Sequence, residues 1–308
     1  MNYSDHEKSR NVILGTLRNL GTENLRPFFD SLRQTGYDGD VVMFCNNTSK
    51  DTLAYLHSKG VTTIPFRYWA IRNHQPLLLF WPLWKRIIAL LPGFKAKSFV
   101  ARRVWFLYTL RFLFYYEFLL AHSEYSRIML TDVRDVWFQR DPFEWMGDEE
   151  ELYCFEEAPG RFIGNCPLNS MMVAEALGET SLRSVFDCQI SCAGVTFGTR
   201  KPMLGYLERI CRYAFVTKVF KTCSGVDQGF HNWIVHRDPV AGHKLINNEG
   251  PVYTMGLYDK NEIKINNDGY IVNNSNGNIP AVLHQYDRFP MVSKKIHLLL
   301  KLNTDEYK

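Results

Sequence analysis

The chain has 308 residues, 46% of them hydrophobic and 14% aromatic, with a formal net charge of +4, which suffices for one large α/β domain or two small ones and is ordinary for a globular protein. Its seven cysteines, an odd number, lack CxxC spacing, which indicates neither a zinc knuckle nor a full disulfide framework and fits a reducing compartment. Residues 1–10 are polar and charged without a signal peptide's apolar stretch, and no uninterrupted run of about 18 apolar residues marks a spanning helix, so a cytoplasmic protein, soluble or peripheral to a membrane, is expected.

Residues 11–17 are a short apolar run of buried-strand character. Leu25, Phe28, Phe29 and Leu32 then repeat at helical spacing, and Gly36 can end that helix. Residues 41–45 read as a second strand. Ser49 can cap a helix carrying Leu53 and Leu56 that stops at Gly60, and residues 61–66 read as a third strand. Strands alternating with helices at this rhythm predict right-handed βαβ units and a mainly parallel sheet, whose ligands lie beyond the strands' carboxyl ends.

The rhythm breaks over residues 67–100, too long for an ordinary connection and therefore an insertion, rich in aromatic and basic residues. An apolar helix is expected over about 100–122, then a strand over 127–130. Further on, strands are expected at 152–155, 194–197 and 281–284, and helices at 202–219 and 225–236. Residues 266–278, rich in Asn and Gly, read as turns.

The most informative stretch follows the fourth strand. Asp132 and Asp135 fall at its carboxyl end, with Asp141-Pro142 beyond. Two carboxylates there are costly unless a positive group holds them, and a divalent cation on a diphosphate is an economical answer, since Mg²⁺ and Mn²⁺ prefer oxygen ligands. Two solvated aspartates at a turn are the plain alternative.

This stretch resembles the DxD segment of GT-A glycosyltransferases, especially the glycogenin-like and plant-wall transferase groups. Their DxD becomes Asp132-Val133-Arg134-Asp135 here, one residue longer. The resemblance implies a Rossmann-like α/β fold, a nucleotide-diphosphate sugar donor, and Mn²⁺ or Mg²⁺ held by Asp132, Asp135 and His284, the last at the end of a late apolar strand. It implies that Thr16 and Arg18, after the first strand, meet the base and ribose, and that Arg111 on the preceding helix reaches the phosphate region or orients an aspartate. Ser191-Cys192-Ala193-Gly194-Val195 resembles the small-residue strand entry beneath the donor sugar. Gly225-Val226-Asp227-Gln228-Gly229 resembles a helix start near the reacting sugar, with Asp227 and Gln228 as catalytic residues.

The resulting expectation is a metal-dependent glycosyltransferase acting on a glycan or lipid-linked acceptor, as in polysaccharide biosynthesis. Residues 1–145 form the nucleotide-sugar half, 146–290 the acceptor half, and 291–308 a tail. Competing readings are a sugar nucleotidyltransferase, which would carry a Gly-rich basic loop after the first strand, and a non-catalytic membrane-surface binding protein. Residues 75–103, with Trp81 and Trp84 beside Lys85, Arg86, Lys95, Lys97, Arg102 and Arg103, are expected to touch a membrane surface. The basic residues lack an RNP-like or helix-turn-helix pattern, so nucleic acid is not an expected partner.

Overall fold

The computed structural model describes residues 10–67, 81–217, 226–259 and 262–300, with the backbone alone at Trp81 and Pro82. The first part of the expected membrane contact, residues 75–80 and the Trp81 side chain, together with Gly225 and the end of the tail, lies outside the described residues. The first third follows the predicted rhythm: β1 (Arg10–Arg18), α1 (Thr22–Gln34), β2 (Asp40–Asn46), α2 (Lys50–Ser58) and β3 (Val61–Pro65). Leu25, Phe28, Phe29 and Leu32 form the buried face of α1. Gly36 lies just beyond that helix at φ +84°, a conformation open to glycine. The Ser49 hydroxyl accepts from Thr52 N at 3.1 Å and caps α2 as expected.

After the insertion come α5 (Leu107–Ala121), β4 (Tyr125–Thr131), β5 (Val136–Phe138), β6 (Leu152–Glu156), α6 (Pro167–Leu177), α7 (Glu179–Val185), β7 (Ser191–Thr199), α8 (Arg200–Val216) and α9 (Val226–Arg237). The chain closes with β8 (His243–Ile246), β9 (Val252–Thr254), the hairpin β10 (Lys264–Ile265) and β11 (Ile271–Val272), β12 (Val282–His284) and α10 (Pro290–Leu299). The central sheet has the order β3-β2-β1-β4-β7-β6-β8. It is parallel throughout except for β7, which runs against both neighbours. A second sheet has the order β5-β12-β9. The expected α/β class, a mixed and mainly parallel sheet flanked by helices, is the one present.

Two apolar layers cover the central sheet. α5, α8 and α9 bury Phe112, Leu113, Tyr206, Leu207 and Phe230 against one face. α1 and the small sheet bury Phe28, Phe29, Val136, Phe138 and Val282 against the other. All nine residues of β7 are buried, as a central strand covered on both faces requires.

Two expectations need correcting. The single helix over 100–122 is two, α4 (Gly93–Val104) and α5, because Trp105 and Phe106 take extended backbone between them. No glycine or proline marks the break; Trp105 is buried with its ring 5.0 Å from that of Phe215, so packing interrupts the periodicity. The expected strand 194–197 is short by five residues, three before it (Ser191, Cys192, Ala193) and two after it (Gly198, Thr199), small and polar residues that carry no apolar strand signal. The segment from 291 carries most of α10, whose Val292 and Ile296 are buried.

A polar relay lies behind β7. The Ser191 hydroxyl donates to Phe155 O at 3.0 Å and lies 2.8 Å from His231 Nε2, while the Tyr206 hydroxyl lies 2.6 Å from Nδ1. A serine that donates to a carbonyl accepts from the ring, so His231 is neutral, protonated on Nε2. Burial pushes its pKa down to about 3. The unfolded chain therefore binds this proton and the folded one does not between about pH 6.5 and 3, so the stability from neutral His231 is complete above that window and is lost as pH falls through it. Thermal melts across pH 7 to 4 should show a falling midpoint that is shallower in His231→Gln; equal slopes would overturn this role.

Candidate active site

Strand register brings the predicted residues to one edge. β1 pairs with β4 at Leu14 and Leu130, so Thr16 stands level with Asp132. β4 pairs with β7 at Thr131 and Val195, and Asp132 N donates to Gly194 O at 2.7 Å. Because β7 runs backwards, its first residues rather than its last face the carboxyl ends of β1 and β4. That reversal is why Ser191, Cys192, Ala193 and Gly194 form the floor.

The additional residue in the aspartate motif is absorbed by a turn between β4 and β5. Val133 is buried, close enough to fill the space a Cβ at Gly15 would need. Arg134 points out to Asp287, 3.0 Å away. Asp132 and Asp135 therefore face the same side. β12 pairs with β5 at His284 and Val136, and Gln285 N donates to Asp135 O at 2.8 Å. The late histidine is thus delivered to the two aspartates by the small sheet.

His284 Nε2 lies 3.7 Å from Asp132 Oδ2 and 4.0 Å from Asp135 Oδ1. One ligand atom from each of the three residues falls within 4.8 Å of the others. Ligands bonded at about 2.1 Å to one ion stand about 3–4 Å apart, so the group needs little closing to hold a divalent cation. The fit has a second sign. His284 is fully buried, yet Nε2 has no hydrogen-bond partner, and an orphaned buried polar atom asks for an occupant. A Cβ at Gly194 would lie 2.3 Å from His284 Cε1, 2.5 Å from Nε2 and 2.8 Å from Asp132 Oδ2, so only glycine leaves that space open. On the far side of the ring, Nδ1 lies 3.5 Å from Thr254 Oγ1 and 3.7 Å from Cys192 Sγ.

Arg111 lies behind the aspartates. It is almost fully buried on α5, and its guanidinium donates to Asp132 Oδ1, to Asp227 Oδ2 at 3.0 Å and to Ala193 O at 3.5 Å. The apolar helix thus carries its arginine to a pair of carboxylates rather than to solvent. Burial raises the Asp132 pKa on its own; Arg111 and His284 outweigh it and hold that carboxyl well below the usual range. Burial pushes the Asp135 and Asp227 carboxyls up, offset in part by His284 and by Arg111 respectively. Arg111→Met should destabilise the fold by about 3 kcal/mol, because buried Asp227 loses its counter-charge and the half-buried Asp132 loses part of its own. Urea unfolding measures it, and a variant as stable as wild type would show that the bridge holds nothing.

Gln228 is held on three sides. Its Oε1 accepts from Ala193 N at 2.9 Å, and its Nε2 donates to Ser191 O at 2.7 Å and Asn169 Oδ1 at 3.2 Å. Thr16 Oγ1 lies 2.8 Å from the Tyr115 hydroxyl, and Arg18 ends β1 two residues on. Sequence reasoning missed two neighbours of the cluster. Glu157, buried at the carboxyl end of β6, has its carboxyl pushed up by burial against the pull of His284 and Arg288. Gln285 is buried with a left-handed backbone (φ 61°), its Oε1 orphaned and packed where a Cβ at Gly256 would go. The pair Glu156-Glu157 closing an apolar strand was a signal of the same kind as Asp132; Gln285 carried none.

No protein-family model and no curated protein sequence matches this chain. A solved structure similar to it is glucosyl-3-phosphoglycerate synthase from Mycobacterium tuberculosis in complex with Mn²⁺, uridine diphosphate and glucosyl-3-phosphoglycerate. The two share 14% identity over 78% of this chain and 70% of that one, with a TM-score of 0.39.

Proposed function

We propose that this protein is a metal-dependent glycosyltransferase that uses a nucleotide-diphosphate sugar. The observation that carries this reading is the convergence of Asp132, Asp135 and the orphaned His284 Nε2 at the carboxyl edge of a mainly parallel sheet, where such sheets receive nucleotides. Asp132, Asp135 and His284 would hold Mn²⁺ or Mg²⁺, which supplies Lewis-acid stabilisation of the charge on a leaving diphosphate.

The chain's own residues do the rest. Arg111 fixes the Asp132 carboxylate from behind, leaving its other oxygen toward His284. Thr16 and Arg18 line the β1 end of the same edge, where we place the base and ribose. Ala193 and Gly194 give a floor without side-chain bulk beneath the donor sugar. Asp227 and Gln228 were expected to act on the sugar itself. Asp227 is tied to Arg111 and Gln228 to the floor, so we assign both as positioning residues, with Asp227 unsuited to deprotonate an acceptor. The first four strands come from residues 1–145, which we read as the nucleotide-sugar half, and residues 146–290 as the acceptor half. Nucleotide sugars presented one by one with Mn²⁺ should yield one or a few donors from which free nucleotide is released. No release from any of them, or release unaffected by EDTA, would sink the reading.

A further inference from the structure

The described half of the insertion folds as two helices, α3 (Trp81–Leu90) and α4, and each has two contrasting sides. Trp84 and Ile88 of α3 and Ala101 and Val104 of α4 face the core layer of α5 and α8. On the outside, Leu83, Arg86 and Leu90 recur at i, i+3 and i+7, which is one helix face. Leu83 is 53% exposed and Leu90 85%, so the outer leucines are not held by the fold. On α4, Lys95 is exposed and Phe99 is 56% exposed, with the Arg103 guanidinium 4.4 Å from its ring centroid. Lys97 Nζ donates to Ala89 O at 3.0 Å and ties the two helices together. Between Asp51 and Glu117 the sequence holds no acidic residue, and Glu117 itself is paired with Arg102 at 2.7 Å.

From this we infer that the outer face of α3 and α4 docks the protein on an anionic lipid bilayer. Exposed leucines and a phenylalanine gain by entering the boundary of headgroups and acyl chains, while Arg86 and Lys95 beside them meet lipid phosphates and carboxylates. Two other occupants each fail one of these features. A second copy docked symmetrically would set this cationic face against itself, and a nucleic acid offers the leucines nothing. No helix among the described residues is long and apolar enough to cross a membrane, which makes this contact one of surface docking. The inference stands apart from the transfer reaction, because vesicle binding is read without any substrate.

Flotation of the full chain with vesicles decides it. With phosphatidylcholine containing about 30% phosphatidylserine the protein should float at low salt, and it should stay behind with phosphatidylcholine alone or in about 0.5 M salt. Each basic residue near such a surface contributes about fivefold to partitioning, so Arg86→Glu with Lys95→Glu should lower it at least about tenfold. Leu83→Ser with Leu90→Ser should lower it at either charge density while leaving the salt response. All four positions are outside the core, and an unchanged melting midpoint verifies the fold; should one pair of variants melt early, the salt and lipid dependence of the wild type decides alone. A wild type that ignores anionic vesicles, that binds neutral ones equally, or that forms a dimer abolished by Leu90→Ser overturns the inference.

Discussion

Asp135→Ala is expected to lower metal-dependent donor turnover by about a thousandfold or more while the melting midpoint stays within a few degrees of wild type. Losing a ligand of a cation that stabilises a leaving diphosphate forfeits several kcal/mol of barrier lowering, and about 4 kcal/mol corresponds to a thousandfold. The fold should survive because Asp135 carries no core packing: its side chain faces the cluster, and the backbone contact that joins β5 to the small sheet is its carbonyl, which accepts from Gln285 N. Burial also raises the pKa of this carboxyl, so its removal relieves a desolvated charge rather than creating one. Asp132→Ala should lose comparable turnover but differ in stability, since it strips Arg111 of one of its two carboxylates. Turnover of Asp135→Ala within tenfold of wild type at saturating Mn²⁺ would exclude the metal arrangement.

Gly194→Val should abolish Mn²⁺ binding, with an affinity loss of at least about a hundredfold. The space a Cβ needs there is already within 2.3–2.8 Å of His284 and Asp132, far inside ordinary contact, and the backbone is held in place. Gly194 O accepts from Asp132 N, Ala193 N donates to Gln228 Oε1, and the ladder with β4 begins at the next residue. The imidazole must swing out of line with the two aspartates. Isothermal titration with Mn²⁺ reads this directly, without donor or acceptor. If the variant binds Mn²⁺ like wild type, the small-residue floor has no part in the metal site. Gly194→Ala gives a graded control, with a smaller loss expected because a single methyl group can be met by a partial rotation of the ring.

Much of this arrangement was legible in the sequence, and the reasons are local. β1, β2, β3 and the two helices between them are each announced by a period of their own and by a cap or a glycine, so Ser49 and Gly36 mark their ends correctly. Asp132 and Asp135 were visible because an apolar strand delivers them. The long-range events were not legible. Nothing in the run from Val100 to His122 marks the break at Trp105, which comes from burial of that ring against Phe215. The reversal of β7 cannot be read from its residues, because strand direction is set by partners far along the chain. β5 and β9, three residues each, are too short to carry a period and exist only because β12 lies between them. Our assignment of Asp227 and Gln228 to positioning has the same origin: a residue at a helix start looks available until the structure gives it partners.

The reversed strand has one more consequence. Because β7 enters the edge by its amino end, the floor under the cluster precedes the regular ladder. Pairing with β4 starts at Val195 and the register with β6 shifts between Thr196 and Ser191. Over that stretch Ser191 N donates to Asn232 Oδ1 and Ala193 N to Gln228 Oε1. The paired stretch has no slack in length: one residue added or removed between Val195 and Thr199 would turn every later side chain of β7 to the opposite face. Relatives of this protein are therefore free to diverge in the size of their connections only elsewhere, as in residues 262–280, which carry the short hairpin β10–β11. The spacing from Val195 to Thr199 should be constant among them even where the identities are not.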